Sequence, residues 1–261
     1  MTLQASNFKR SLISAALLLP LASMAEETPD EGIPTWKGKA ELGIVNTSGN
    51  SNTSSTNGKI NLIYEAEKWR QEFRLETHQA ESEIVDDNNQ EVTQKTADRT
   101  YFYSKSDYKY SEKSYAYALL DYADETFTSK DYIGNFSIGY GRTFIKQKDQ
   151  QLEAEVGYGL RRFQNRNEVI AEEEEVARLA GKYSVKISDN ASFSQELITE
   201  FGKAFDVYKS NTALTVNINS SMALSVGYEV QHTSDLTAED IAAGTEKTDT
   251  ITTVNLVYNF L

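Results

Sequence analysis

The chain contains no cysteine, only two histidines and only three prolines, Pro20, Pro29 and Pro34, all at its N-terminal end. Without cysteine there is no disulfide framework, no thiolate nucleophile and no cysteine-ligated metal. Two histidines, His78 and His232, are a thin supply for imidazole catalysis or metal binding. After Pro34 nothing interrupts a strand ladder by removing its N–H donor. Basic residues are also short, 26 Lys and Arg against 39 Asp and Glu. That balance argues against a nucleic-acid partner, whose affinity comes largely from cationic contacts to phosphate. No apolar run reaches the roughly 18–20 residues that a spanning helix needs.

The longest apolar stretch, "SLISAALLLPLA" (11–22), follows Lys9 and Arg10 and precedes "SMA" ending at Ala25. A basic n-region, an apolar h-region and small residues at Ser23 and Ala25 make the pattern of a secretory signal peptide cleaved after Ala25. No cysteine follows it, which excludes a lipoprotein anchor. The expected organisation is a signal peptide over 1–25, a short periplasmic segment over 26–35 and one β domain over 36–261. Losing Lys9 and Arg10 leaves 24 basic against 39 acidic residues, a net charge near −15.

What is plentiful favours strands. Tyr occurs 15 times and Phe 11, and both are enriched in sheets with Thr and Val. The patterning predicts twelve strands, at 36–46, 56–65, 69–80, 97–110, 114–124, 132–145, 151–163, 175–187, 192–202, 208–218, 222–232 and 248–260. In 69–80, Trp69, Phe73 and Leu75 oppose Arg70, Glu72, Arg74, Glu76 and His78. In 151–163, Leu152, Ala154, Val156, Tyr158 and Leu160 oppose Glu153, Glu155, Gly157, Gly159 and Arg161. The strands at 222–232 and 248–260 repeat the pattern, with Leu224, Val226 and Tyr228, and Val254, Leu256 and Tyr258, on the apolar side. Strand 97–110 is ambiguous, because Tyr and Phe fall on both parities.

A soluble sandwich or lipocalin-like barrel turns such an apolar face inward; a transmembrane barrel turns it to lipid. The connections choose between them. Short links at 65–68, 111–113, 146–150, 188–191 and 219–221 alternate with longer ones at 47–55, 81–96, 125–131, 164–174, 203–207 and 233–247. An even strand count places all long links at one end and both termini at the other, the layout of bacterial outer-membrane barrels. Trp36, Trp69, Tyr110, Tyr115, Phe144, Tyr258 and Phe260 collect near the short-turn ends, as an interfacial aromatic girdle requires. The polar stretch "VNTSGNSNTSSTNG" (45–58) is then the first outer hairpin, continuing two strands into water. The expected fold is all-β: a transmembrane antiparallel up-and-down β-barrel of about 12 strands with short periplasmic turns and longer outer loops.

"WKGKAELGIVNTSGNSNTSSTNGKINL" (36–62) resembles the opening of the YdiY-like family of salt-induced outer-membrane proteins, DUF481. "SDYKYSEKSYAYALLDYADETF", "IGYGRTFIK", "LEAEVGYGLRRF" and the terminal "DTITTVNLVYNF" resemble later blocks of that family. The resemblance implies a Gram-negative outer-membrane barrel without established biochemical activity and transfers no catalytic residue. The chain departs from the usual pattern by ending on Leu261 rather than on aromatic Phe260.

Lys37, Lys39, Glu41, Lys59, Arg70, Glu72, Arg74, Glu76, Arg99, Glu153, Glu155, Arg161, Lys182, Lys186 and Glu229 are expected to face inward. They serve either a salt-bridge lattice that rigidifies the barrel or a small aqueous pore with weak ion preference. Acidic outer segments, "ESEIVDDNNQE" (81–91), "EVIAEEEE" (168–175), Asp235, Glu239 and Asp240, read as a solvated rim and match no calcium-loop spacing. His232 and Ser234 near the end of an apolar row raise an outer-membrane phospholipase, yet no base and orienting group accompany them. No catalytic, cofactor-binding or metal-binding residue is assigned, no cofactor is expected and the chain is read as a non-enzyme. The expected role is envelope structure or permeability, with a small, weakly cation-preferring pore tied to salt or osmotic conditions. The alternative is a soluble secreted or periplasmic ligand-binding β protein. Expected partners are outer-membrane lipid and lipopolysaccharide, the barrel-assembly machinery during biogenesis and small ions.

Overall fold

The structure is a computed structural model and describes residues 34–47, 53–85, 90–126, 128–166, 168–236 and 246–260. The signal peptide, most of segment 26–35, Glu239, Asp240 and Leu261 lie outside the described residues. Twelve strands follow one another: β1 (Thr35–Thr47), β2 (Thr53–Glu65), β3 (Trp69–Val85), β4 (Glu91–Lys109), β5 (Ser114–Glu125), β6 (Lys130–Lys146), β7 (Gln150–Asn165), β8 (Glu172–Lys186), β9 (Ala191–Phe201), β10 (Val207–Asn217), β11 (Met222–Thr233) and β12 (Thr248–Asn259). Each pairs antiparallel with its sequence neighbours, and β12 returns to β1 to close a barrel. Closure removes the free edges that an open sheet would leave in lipid.

Side-chain polarity across the wall follows the alternation. Leu42, Ile44, Leu75, Ile138, Val156, Leu160, Leu224, Val226, Val254 and Leu256 are exposed on the outside, whereas Arg74, Lys105, Asp107, Glu153, Arg161 and Arg178 are buried inside. An apolar exterior around a charged interior is a transmembrane barrel, not an inward-packed soluble one. Aromatic pairs mark the short-turn end: Trp36 lies 5.0 Å from Tyr64 and Trp69 5.1 Å from Tyr108, centroid to centroid. Tyr110, Phe144, Tyr258 and Phe260 are outward and exposed.

Two expectations need correction. The outer links are shorter than their polar composition implied. β3 runs on to Val85 and β4 starts at Glu91, so most of the expected 81–96 loop is a strand pair standing above the lipid. Polar residues there satisfy a strand ladder as readily as a loop, because both faces meet water. Tyr115 is not part of the girdle. It is only 3 % exposed and points inward, where its hydroxyl donates to Glu155 at 2.9 Å. β5 carries apolar residues on both faces, with Tyr115, Tyr117 and Leu119 inside, so its parity was not legible.

The inward tyrosines explain the glycines facing them in β6. Tyr115 pairs across to Gly141 and Tyr117 to Gly139. A Cβ on Gly141 would stand 2.2 Å from the Tyr115 ring, and one on Gly139 2.6 Å from the Tyr117 ring. Glycine is required because the tyrosine rings occupy the space that a Cβ would take. Gly141→Ala is expected to destabilise the barrel by about 1–3 kcal/mol through overpacking. The temperature at which the compact gel band is lost should fall, and Gly141→Ala with Tyr115→Leu should recover part of the loss. An unchanged transition in the single variant would contradict this packing.

Candidate functional site in the barrel lumen

The lumen has a filled side and an open side. On the filled side, Arg70 of β3 bonds Asp107 of β4 at 2.6 Å and Glu153 of β7 at 3.1 Å. Lys105 is paired with Asp107 at 3.1 Å and with Glu155, and Arg178 of β8 reaches Glu155 at 2.9 Å. Arg70 and Lys105 also lie 5.0 Å from the Tyr115 ring centre. Glu153 takes further bonds from Thr143 (3.2 Å) and Gln151 (2.8 Å). Burying so many charges is tolerable because each finds opposite charge and hydrogen bonds close by.

Two bridges cross the lumen. Arg74 of β3 holds Glu72 at 2.9 Å and reaches Glu196 of β9 at 3.5 Å; β3 and β9 stand six places apart in the twelve-strand ring, on opposite walls. Arg99 of β4 meets Glu229 of β11 at 2.8 Å. Near the outer end, Arg161 is fully buried and binds Glu174 and Glu200, each at 3.1 Å, and the Phe205 carbonyl at 2.8 Å. The link 202–206 folds inward here. Phe205, 2 % exposed, packs edge-on against Phe163 at 5.0 Å and lies 4.4 Å beneath the Arg161 guanidinium.

The open side runs along β8 to β12 and β1 to β4 as two cavities. One, about 380 Å³, lies at the short-turn end between Gln147–Gln151, Lys186, Asn217 and Asn259. The other, about 420 Å³, is an upper chamber lined by Glu41, Asn57, Lys59, Arg74, Glu76, His78, Arg99, Lys182, Glu196, Lys209 and Glu229, among others. Lys39, Ser194 and Thr215 line both, so the two cavities are neighbours along the lumen.

The structure places the predicted inward residues as expected across β3 and β7, and Lys59 bonds Glu76 at 2.8 Å. Lys37, on the same parity as Lys39 and Glu41, lies exposed near the start of β1. Sequence reasoning missed Lys105, Asp107, Asp121, Arg178, Glu196, Glu200 and Lys209. Arg178 was legible, since it shares parity with Lys182 and Lys186 on β8; Lys105 and Asp107 were hidden by the aromatics on both faces of β4. The acidic run 172–175 divides by parity. Glu174 turns inward to Arg161, while Glu173 pairs with Arg162 at 2.5 Å on an exposed face. His232 lies on the outer parity, its Nδ1 2.8 Å from the Thr248 hydroxyl. Ser234 donates to Asp235 at 2.8 Å and accepts from the Asp206 N–H at 2.9 Å. Among the described residues no group of three or more His, Cys, Asp or Glu side chains is placed to hold a metal ion.

The model of the protein family of unknown function DUF481 matches residues 40–260. The chain belongs to this family. No curated protein matches it. Among solved structures, this DUF481 member is similar to the NanC porin, with TM-score 0.51 and 9 % identity over 86 % of this chain and all of that one. It also matches the translocator domain of the autotransporter NalP from Neisseria meningitidis, with TM-score 0.46 and 9 % identity over 97 % of this chain and 96 % of that domain. The KdgM porin matches with TM-score 0.45 and 10 % identity over 87 % of this chain and all of that one. At such identities the likeness concerns the fold, an outer-membrane-type barrel.

Proposed function

We propose that this protein resides in the outer membrane and serves as a narrow, non-enzymatic pore for small solutes. The observation that carries this reading is the pair of neighbouring cavities along one side of the lumen, which share Lys39, Ser194 and Thr215 in their linings. The cross-lumen bridges Arg74–Glu196 and Arg99–Glu229 line the upper chamber itself and keep the passage narrow. Lipopolysaccharide around the loop end, the barrel-assembly machinery during biogenesis, and a setting of salt or osmotic change are part of the proposal, the last on the family resemblance.

The charges argue for weak ion preference. Lys59, Arg74 and Arg99 sit beside Glu76, Glu196 and Glu229, and mixed rings of this kind select poorly. Acids stand at the outer mouth: Glu125 pairs across from Arg99 at the end of β5, and Asp249 lies near the start of β12. They raise local cation concentration there, an effect that fades as salt shortens its reach. Purified protein in planar bilayers is expected to show small conductance steps with mild cation preference at low salt. Glu125→Gln with Asp249→Asn should lower that preference while leaving the high-salt step size unchanged. A folded, heat-modifiable barrel that conducts nothing would overturn the pore and leave a salt-bridged structural barrel as the role.

A further inference from the structure

The seam that closes the barrel differs from the other eleven. β1 and β12 are register partners at four positions only, from Lys39↔Asn259 to Leu42↔Leu256. Every other seam runs over ten or more. Both strands continue past their last shared pair. β1 stays paired with β2 up to Thr47↔Thr53, and β12 with β11 up to His232↔Thr248. The edges of 43–47 and 251–255 that would continue this register therefore carry no shared ladder, although the Val254 carbonyl stays near Gly43, 2.9 Å from where a Cβ there would stand. A span of about 9–11 residues counted from Trp36 and Phe260 keeps the first part of this split within the hydrocarbon layer. Unpaired backbone is strongly unfavourable there.

Side chains hold the split instead. Asn57 of β2 reaches over β1 and donates to the Asn255 Oδ1 of β12 at 2.8 Å, and Asn255 donates to Glu41 at 3.2 Å. The clasp passes over Gly43, where a Cβ would lie 2.3 Å from Asn255 Oδ1 and 2.4 Å from Asn57 Oδ1. Only glycine lets it close. Glu41, Asn57, Ile251, Thr253 and Asn255 all line the upper chamber, so the split lies in the chamber's own wall. Outside it, Leu42, Ile44, Val254 and Leu256 are exposed to lipid. Inside, Lys59, Arg74 and Arg99 each hold a carboxylate. Lys182 and Lys209 line the same chamber; no carboxylate lies within 4 Å of either among the described residues, Lys182 acting at longer range on Glu72 and Glu196 and Lys209 lying 5.6 Å from the Tyr101 ring centre. At about 420 Å³ the chamber falls in the size range of small-ligand pockets.

We propose that the β1–β12 seam is a lateral portal between the chamber and the bilayer. It admits a single-chain amphipath whose anionic headgroup sits in the chamber toward Lys182 and Lys209 and whose alkyl chain leaves between Ile44 and Val254. This goes beyond the pore reading and does not depend on ion conduction. Opening exchanges the Asn57–Asn255 clasp for contacts with the headgroup, while the chain meets the apolar exterior that it prefers.

The chain has no cysteine, so an engineered disulfide is the sole one. Continuing the β1–β12 register sets residue 44 opposite 254, and Ile44→Cys with Val254→Cys locks the seam. Leu214→Cys with Val226→Cys, partners across the fully paired β10–β11 seam, is the control. Native mass spectrometry would follow retained lysophosphatidylglycerol or zwitterionic lysophosphatidylcholine. The reduced protein should retain the anionic lipid about tenfold better than the zwitterionic one, and oxidation of the 44/254 pair should cost about tenfold in retention, reversed by reductant and absent in the control. Equal retention in the locked and reduced forms, equal loss in the control, or no preference for the anionic lipid would overturn the portal. Hydrogen exchange on the unmodified protein is the second measurement. Amides at 43–47 and 250–254 should exchange faster than those at 212–216 and 224–228, and equal protection would overturn it as well.

Discussion

Replacing Arg161 by methionine is expected to cost about 3–5 kcal/mol of stability, the range for removing one partner from a buried ion-pair cluster. The guanidinium is inaccessible to solvent and holds Glu174, Glu200 and the Phe205 carbonyl together. Methionine fills much of the same space but leaves two carboxylates facing each other without a cation. Glu174 also accepts from the Ala204 N–H at 2.6 Å, so the inward fold of link 202–206 should loosen too. Urea unfolding from detergent or vesicles would measure the loss. Adding Glu174→Gln and Glu200→Gln to the methionine variant should recover most of it, because neutral amides need no cation. A triple variant as unstable as Arg161→Met alone would show that lost packing around Phe205, not stranded charge, sets the cost.

The second large effect concerns the lipid face. Leu224→Arg or Val226→Arg is expected to cost about 2–4 kcal/mol if the residue lies near the bilayer midplane. Both side chains are exposed on the outer wall at 45 % and lie on β11, flanked by β10 and β12. Ser225→Arg and Gly227→Arg project the same charge into the chamber, where water and Glu229 receive it. A Cβ on Gly227 first meets the Thr253 hydroxyl at 2.6 Å, a group that can rotate away. The two inward variants should therefore assemble and show the compact unboiled band more fully than the outward two. Equal damage from both sets would mean that the faces of β11 are assigned the wrong way round.

Much of the architecture was legible because a strand's side-chain alternation is a local property. Val156, Tyr158 and Leu160 against Glu155, Gly157 and Arg161 identify two faces without knowledge of any neighbour. Even strand number and the placement of short turns then decide which face meets lipid. Polarity alone did not separate loop from strand above the membrane, as the extension of β3 and β4 to Val85 and from Glu91 shows. Nor did it place Tyr115 of β5, a strand with apolar residues on both faces beside inward Asp121.

By itself, then, the sequence determined a closed antiparallel barrel, its inside and outside, and the charged character of the lumen. Only the tertiary structure decided which charges meet. Arg74 finds Glu196 on the opposite wall and Arg70 finds Glu153 four strands away, because such pairs depend on the stagger and cross-section of the closed barrel rather than on any spacing along the chain. The same holds for Phe205 tucked beneath Arg161 and for the four-pair seam bridged over Gly43. Each joins residues far apart in sequence, and the free energy that selects it exists only once the first strand has met the last.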